Sequence, residues 1–63
     1  MDQKLLAEIK EWIKGQEYVK VTDMTKIFKI EDFMMSLEII DVLVEEGILD
    51  PINVKNKGFK VLR

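Results

Sequence analysis

The stretch EDFMMSLEIIDVLVEEGI, residues 31–48, decides the fold, because it predicts one long central helix. Its apolar residues recur at helical spacing, and the acids Glu31 and Asp32 both suit the positive end of a helix dipole. Either acid therefore begins the helix, which runs to about Glu46 and ends where Gly47 can adopt a left-handed conformation. One face of the helix is predicted to pack on the core. That face carries Ser36, Ile39, Ile40 and Leu43.

Two helices and a short strand are predicted before this central helix. Asp2 suits the N-cap of a first helix, which Gly15 ends. The apolar side of this helix consists of Leu5, Leu6, Ile9, Trp12 and Ile13. Residues 18–21 (YVKV) are a β-type run long enough for one edge strand. Thr22 then caps a helix of one to two turns, and Lys29-Ile30 forms the turn that follows it. The apolar residues of the short helix are Met24, Ile27 and Phe28.

A β-hairpin is predicted after the central helix. Asp50-Pro51 excludes helical backbone, and two β-type runs follow, residues 52–54 and residues 59–61. The turn between them contains Asn56 and Gly58, which both tolerate the positive φ that such turns often require. The apolar residues expected to face inward from this hairpin are Ile52, Val54, Phe59 and Val61.

The predicted order of elements is α-β-α-α-β-β, three helices with a small antiparallel β wing. The sequence therefore predicts an α+β fold of the winged helix-turn-helix type, with residues 1–63 as a single domain. A chain of 63 residues is near the lower size limit for one hydrophobic core without disulfides or metals. In this fold the long helix is the element that enters a DNA groove.

The composition argues against an enzyme or a metalloprotein. The chain has no Cys and no His, so it lacks thiolate ligands, disulfides and the usual near-neutral general base. Adjacent helical residues diverge by about 100°, so neither Glu31-Asp32 nor Glu45-Glu46 can form an acid–base dyad. No glycine-rich phosphate loop is present. We expect no catalysis, no cofactor, no metal and no small-molecule substrate.

No contact with a membrane is predicted either. No apolar run approaches the roughly 20 residues of a membrane span, and Met1-Asp2-Gln3 is not the basic start of a signal peptide. We therefore expect a cytoplasmic protein.

Several short pieces of residues 21–62 occur in the order found in a known family. They are Phe28-Lys29-Ile30, Ile39-Ile40-Asp41, Leu43, Glu45-Glu46-Gly47-Ile48, Pro51 and Val61-Leu62. Through these pieces the chain resembles the gamma domain of the FtsK/SpoIIIE DNA translocases, a small winged helix that recognises oriented sequences in double-stranded DNA. The resemblance covers about two-thirds of the chain. It implies a winged-helix fold and binding of double-stranded DNA.

The chain departs from this family where the family contacts DNA. After Ile30 the family has a Gly-Tyr-Asn-Arg-type opening, whereas this chain has residues 31–35, EDFMM. The wing is about one residue longer, and Lys57-Gly58-Phe59 stands where the family tends to have Lys-Pro-Arg. None of the family's DNA-contacting arginines is matched on the long helix.

The charges are separated along the chain. Residues 31–50 contain seven acids and no base, whereas residues 51–63 contain four bases and no acid. Because phosphates would repel the acidic helix, we expect any DNA contacts to come from lysines of the wing and of the segment before the long helix. The candidates are Lys26, Lys29, Lys55, Lys57 and Lys60. The alternative interpretation is that these lysines are ordinary solubilising residues of surface turns.

The long helix is more apolar than a core contact requires. Its apolar residues span an arc of roughly 220°, whereas a helix needs an apolar stripe of only ≳ 100° to pack on a core. One interpretation is that a very small domain wraps this helix on most sides. The other is that Met34, Met35 and Val42 form a surface for a protein partner or a second copy, since methionine adapts to many surfaces.

Overall fold

The computed structural model describes residues 2–63, which form three α-helices and three β-strands. In chain order they are α1 (Gln3–Ile13), β1 (Tyr18–Val19), α2 (Val21–Ile27), α3 (Phe33–Glu45), β2 (Leu49–Val54) and β3 (Gly58–Val61). The predicted α+β class and the predicted order of elements are confirmed. Within residues 2–63, none of the helices has both the length and the apolar run needed to cross a bilayer.

The N-terminus of α3 is fixed by a side-chain cap. The Asp32 carboxylate accepts hydrogen bonds from the backbone N–H groups of Met34, at 3.0 Å, and Met35, at 3.4 Å. Asp32, and not Glu31, is therefore the N-cap. The first helical residue is Phe33.

The C-terminus of α3 ends in a Schellman motif. Gly47 has φ 75° and donates its N–H to the carbonyl of Val44 at 3.0 Å. The next N–H, of Ile48, donates to the carbonyl of Leu43 at 2.9 Å. These two bonds satisfy carbonyls that the end of a helix would otherwise leave unpaired. The predicted helix end at Gly47 is confirmed.

The core draws on all three helices and on strands β1 and β2. Its buried apolar residues are Leu6, Ile9, Ile13, Val19, Met24, Ile30, Ile39, Ile40, Leu43 and Leu49. All four residues predicted on the core face of α3 are buried, and Ser36 is the polar one among them. The helical periodicity therefore gives the orientation of α3 correctly.

The strands form one antiparallel sheet in the order β1-β3-β2. The central strand is β3, and its Phe59 pairs with Val19 on one side and with Asn53 on the other. Because β2 is an edge strand, it tolerates Pro51, which has no N–H to donate. The register of β2 with β3 shifts between Leu49 and Asn53, so the pairing is irregular there.

The predicted inward alternation of the hairpin is only partly found. Phe59 and Val61 pack against the core, whereas Ile52 is 68% exposed and Val54 is also exposed. Phe59 pairs with Asn53 and Val54 pairs with Gly58, so this register puts Val54, and by alternation Ile52, on the opposite face of the sheet from Phe59. All of residues 51–57 are exposed, so this end of the hairpin extends past the packed helices.

The segment from β1 to α2 differs from the prediction in three respects. β1 has two residues instead of four, because Val21 already begins α2 and packs against the core. The N-cap is Lys20, so Thr22 lies within the helix and does not cap it. Ile27 is exposed, since this short helix buries only Met24 fully.

Gly15 was predicted to end α1, but the end of the helix does not depend on this glycine. The helix ends at Ile13, and the N–H groups of Gly15 and Gln16 donate to the carbonyls three residues before them, at 3.2 and 2.9 Å. These tighter turns close the helix without a residue of positive φ.

Ser36→Ala is expected to stabilise the protein. The Ser36 hydroxyl is fully buried in α3 and has no hydrogen-bond partner among residues 2–63. A buried polar group without a partner costs about 1–3 kcal/mol, and alanine is also the better helix former. For a domain of this size, 1 kcal/mol shifts the melting midpoint by about 4–8 °C. Thermal unfolding followed by circular dichroism measures the shift, and a lowered midpoint would contradict the expectation.

Candidate nucleic-acid and protein interfaces

The turn of the β2–β3 hairpin carries two of the lysines predicted to contact DNA, Lys55 and Lys57, and both are exposed. The Lys57 N–H donates to the carbonyl of Val54 at 3.0 Å, and Asn56 has φ 68°. Gly58 follows with φ 95°, so both residues predicted to tolerate positive φ adopt it. The turn therefore has a defined backbone that presents both lysines to solvent.

Gly58 brings the hairpin into contact with β1. A Cβ added at Gly58 would collide with the carbonyl oxygen of Val19, and it would lie 2.7 Å from the Val19 carbonyl carbon and 2.9 Å from Lys20 Cα. Carbon atoms in van der Waals contact lie about 3.5–4.0 Å apart, so only glycine fits here. The close approach places the hairpin turn beside Lys20.

A groove of about 360 Å³ lies between the start of α2 and the hairpin turn. Its residues are Lys20, Val21 and Thr22 on one side and residues 53–58 on the other, so three lysines and no acid line it. Lys57 Nζ lies 5.2 Å from the centre of the Tyr18 ring, within the range of a cation–π contact. The groove is therefore a concentrated positive surface.

The groove includes only part of the predicted lysine set. Lys55 and Lys57 line it, whereas Lys26, Lys29 and Lys60 are exposed elsewhere. Lys26 lies in the last turn of α2, and Lys29 lies after it with φ 53°. Lys60 lies within β3, opposite Tyr18.

Lys20 was not among the predicted site residues, although it lines the groove with Lys55 and Lys57. It is the residue directly before α2, whereas the hairpin turn is more than 30 residues further along the chain. The pairing of Val19 with Phe59 brings the two regions together. The available signal in the sequence was that Lys20 lies in the predicted edge strand, residues 18–21, which had to pair with the hairpin.

Most of the opposite charges are not paired with one another. Among residues 2–63 the ion pairs are Lys10–Glu46, at 2.7 Å, and Lys14–Glu11, at 2.6 Å. Neither pair includes a lysine of the hairpin or an acid of α3 itself. The negative charge of α3 and the positive charge of the hairpin therefore remain available to outside partners.

The outward side of α3 combines apolar and acidic residues. We define the α3 face as Phe33, Met34, Leu37, Glu38, Asp41 and Glu45, all of which are exposed. Phe33 and Leu37 are one helical turn apart, and Met34 lies between them on the same helix, with 69% of its surface exposed. The N-terminal half of the face is apolar, and the C-terminal half is acidic.

The three residues predicted for a protein interface are not equally accessible. Met34 belongs to the α3 face, whereas Met35 and Val42 are half-buried and pack against the core. Phe33 and Leu37 lie at the edge of the core face in a helical projection and are exposed. The exposed apolar surface of α3 therefore lies on the opposite edge of the core face from Met35 and Val42.

Comparison of this chain with protein-family models, with curated proteins and with solved structures gives no match. Within the described part of the chain, no group of three acidic side chains is placed to hold a metal ion. The features of the described chain that bear on function are therefore the groove, the α3 face and their opposite charges.

Proposed function

We propose that this chain is a winged-helix domain that binds double-stranded DNA without catalysing a reaction. The β2–β3 hairpin is the wing, and its contacts are mainly with phosphates. The observation that carries the proposal is the groove lined by Lys20, Lys55 and Lys57, which contains no acid. The order of elements, the β1-β3-β2 sheet and the resemblance to the FtsK/SpoIIIE gamma domain agree with it.

The charge of α3 determines the kind of DNA binding that we propose. Glu38, Asp41 and Glu45 are exposed on α3, and phosphates would repel them if the helix entered a groove. Lysine is a point charge and does not make the planar bidentate contacts with which arginine reads guanine. Contacts from the wing therefore position the domain on the DNA backbone and carry little sequence information.

Changing Lys55 and Lys57 together to Ala should weaken binding to every duplex by a similar factor. Each lost phosphate contact should lower the slope of log affinity against log salt by about 0.9. Fluorescence anisotropy of labelled duplexes in a series of NaCl concentrations measures both quantities.

A matched control removes the same charge from the two ends of α1, at Lys4 and at the C-cap residue Lys14. Lys4 and Lys14 are exposed and lie outside the groove, so changing both to Ala should affect affinity less than the wing variant. An equal loss in the two variants would show a net-charge effect without a defined site. No binding by the parent at low salt would refute the proposal.

A second candidate function is protein interaction through the α3 face, and a specific observation favours it. Phe33, Met34 and Leu37 are large apolar residues exposed side by side on one helix. Monomeric proteins rarely leave such a group uncovered unless it binds a partner. Met34→Glu should then abolish the interaction while the fold survives, because Met34 makes little contribution to the core.

A further inference from the structure

We infer that the α3 face of one molecule docks on the outer face of the sheet of a second copy. This inference rests on the second candidate function and names its partner. Its basis is that the two faces carry opposite charges, that both include apolar side chains, and that the charges of neither face form ion pairs within residues 2–63 of their own molecule.

The register of the sheet defines its outer face. Val54 pairs with Gly58, and Lys60 is two residues beyond Gly58, so the side chains of Val54 and Lys60 project from the same side. Tyr18 pairs with Lys60 and therefore lies on that side as well. Lys57 Nζ covers the Tyr18 ring at 5.2 Å. We define the sheet face as Tyr18, Val54, Lys57 and Lys60.

The sheet face matches the α3 face in composition. It offers the exposed side chain of Val54 and the half-buried ring of Tyr18, which Lys57 Nζ partly covers, with Lys57 and Lys60 as charges. The α3 face offers a larger apolar group and carries three acids. An interface core of aromatic and aliphatic residues with charges at its rim is the usual anatomy of a protein interface.

The same charges disfavour the simplest alternative, in which two α3 faces pack on each other. That arrangement would bring Glu38, Asp41 and Glu45 of both molecules together, and like charges across an interface cost free energy. When α3 instead meets the sheet face, acids meet lysines. The contact joins two different faces, so a single contact leaves one α3 face and one sheet face free; in the dimer that we propose, a two-fold axis repeats the contact and closes the assembly.

The size of the molecule limits the strength of this association. Its accessible surface is 4479 Å², and a standard interface takes about 800 Å² from each partner. Such an interface would use nearly a fifth of the surface, so a smaller and weaker contact is expected. The dimer should therefore form only at high protein concentration and should dissociate as salt screens the charges.

The test uses two charge-reversed variants of the full chain. One carries Glu38→Lys with Asp41→Lys, and the other carries Lys57→Glu with Lys60→Glu. In sedimentation equilibrium the parent should associate, each variant alone should lose association, and an equimolar mixture of the two should regain it. In the mixture a basic α3 face meets an acidic sheet face, and the two unmodified faces also match.

The outcomes separate this inference from the function on which it rests. If Met34→Glu abolishes association but the sheet-face variant associates like the parent, α3 is an interface and the sheet face is not its partner. A parent that stays monomeric at high concentration, or a mixture that stays dissociated, also overturns the inference. The salt dependence of the parent needs no variant, and association that does not weaken with salt is a further contradiction. Circular dichroism of each variant checks that it is folded.

Discussion

Gly58→Ala is expected to destabilise the protein more than any other single glycine substitution. Gly58 has φ 95°, a backbone conformation that costs a residue with a Cβ about 1–2 kcal/mol. The added methyl would also collide with the backbone of Val19 and Lys20, which cannot rotate away as a side chain can. Relief of the collision requires β1 and β3 to separate, so the total cost should be about 3 kcal/mol or more.

The other two glycines provide graded controls for this prediction. Gly47 also has positive φ, at 75°, but its nearest neighbour is the end of the Arg63 side chain at 3.8 Å, so Gly47→Ala tests backbone strain alone. Gly15 has neither problem, and Gly15→Ala should be close to neutral. In thermal and denaturant unfolding, the Gly58→Ala variant should be much less stable than the Gly47→Ala variant. The Gly47→Ala variant should in turn be less stable than the Gly15→Ala variant. Equal effects at Gly47 and Gly58 would show that the contact between β1 and β3 is looser than described.

The long helix could be predicted from the sequence because its determinants are local. An acid that caps the first turn, a repeat of apolar residues and a glycine at the end act within a few residues of one another. They fix the range of α3 and the four residues that it buries. The same holds for the hairpin turn, where Asn56 and Gly58 both adopt positive φ.

The exposure of residues at the edge of α3 could not be predicted in this way. Phe33 and Met35 are both apolar and lie on opposite edges of the core face, yet Phe33 is exposed and Met35 packs against the core. The difference depends on where the other elements end, which helical periodicity does not specify. The exposure of Ile52 has a similar origin, because the register of the β2–β3 hairpin cannot be read from alternation alone.

The candidate DNA site shows the same division between local and distant determinants. The sequence predicted Lys55 and Lys57 because they share a turn. It grouped Lys26 and Lys29 with them from charge alone, and these two lie outside the groove. Lys20 enters the groove through the pairing of β1 with β3, a contact that depends on the whole fold.

The two proposed functions would compete for the same side chain. Lys57 lines the groove that we propose for phosphate, and it also belongs to the sheet face that we propose for a second copy. A molecule whose sheet face is covered by α3 of its partner has this lysine paired with acids. Binding of DNA and association would therefore oppose each other, and both would weaken as salt increases.

Leu43→Ala is expected to leave the protein largely unfolded near body temperature. Leu43 is fully buried in the middle of the core, and its carbonyl accepts the hydrogen bond from Ile48 that ends α3. Truncation of a buried leucine costs about 2–5 kcal/mol, because it removes apolar contacts and leaves a cavity. A domain of 63 residues has a total stability of only about 3–9 kcal/mol.

Leu37→Ala is the matched control for Leu43→Ala, since it makes the same chemical change on the same helix at an exposed position. It should change stability by no more than about 0.5–1 kcal/mol, whereas Leu43→Ala should lower the melting midpoint by about 8–40 °C. Circular dichroism of the two variants and the parent gives this comparison directly. If the two leucines gave equal losses, α3 would be packed equally on both sides. That result would remove both the core described for this fold and the exposed α3 face on which the proposed dimer depends.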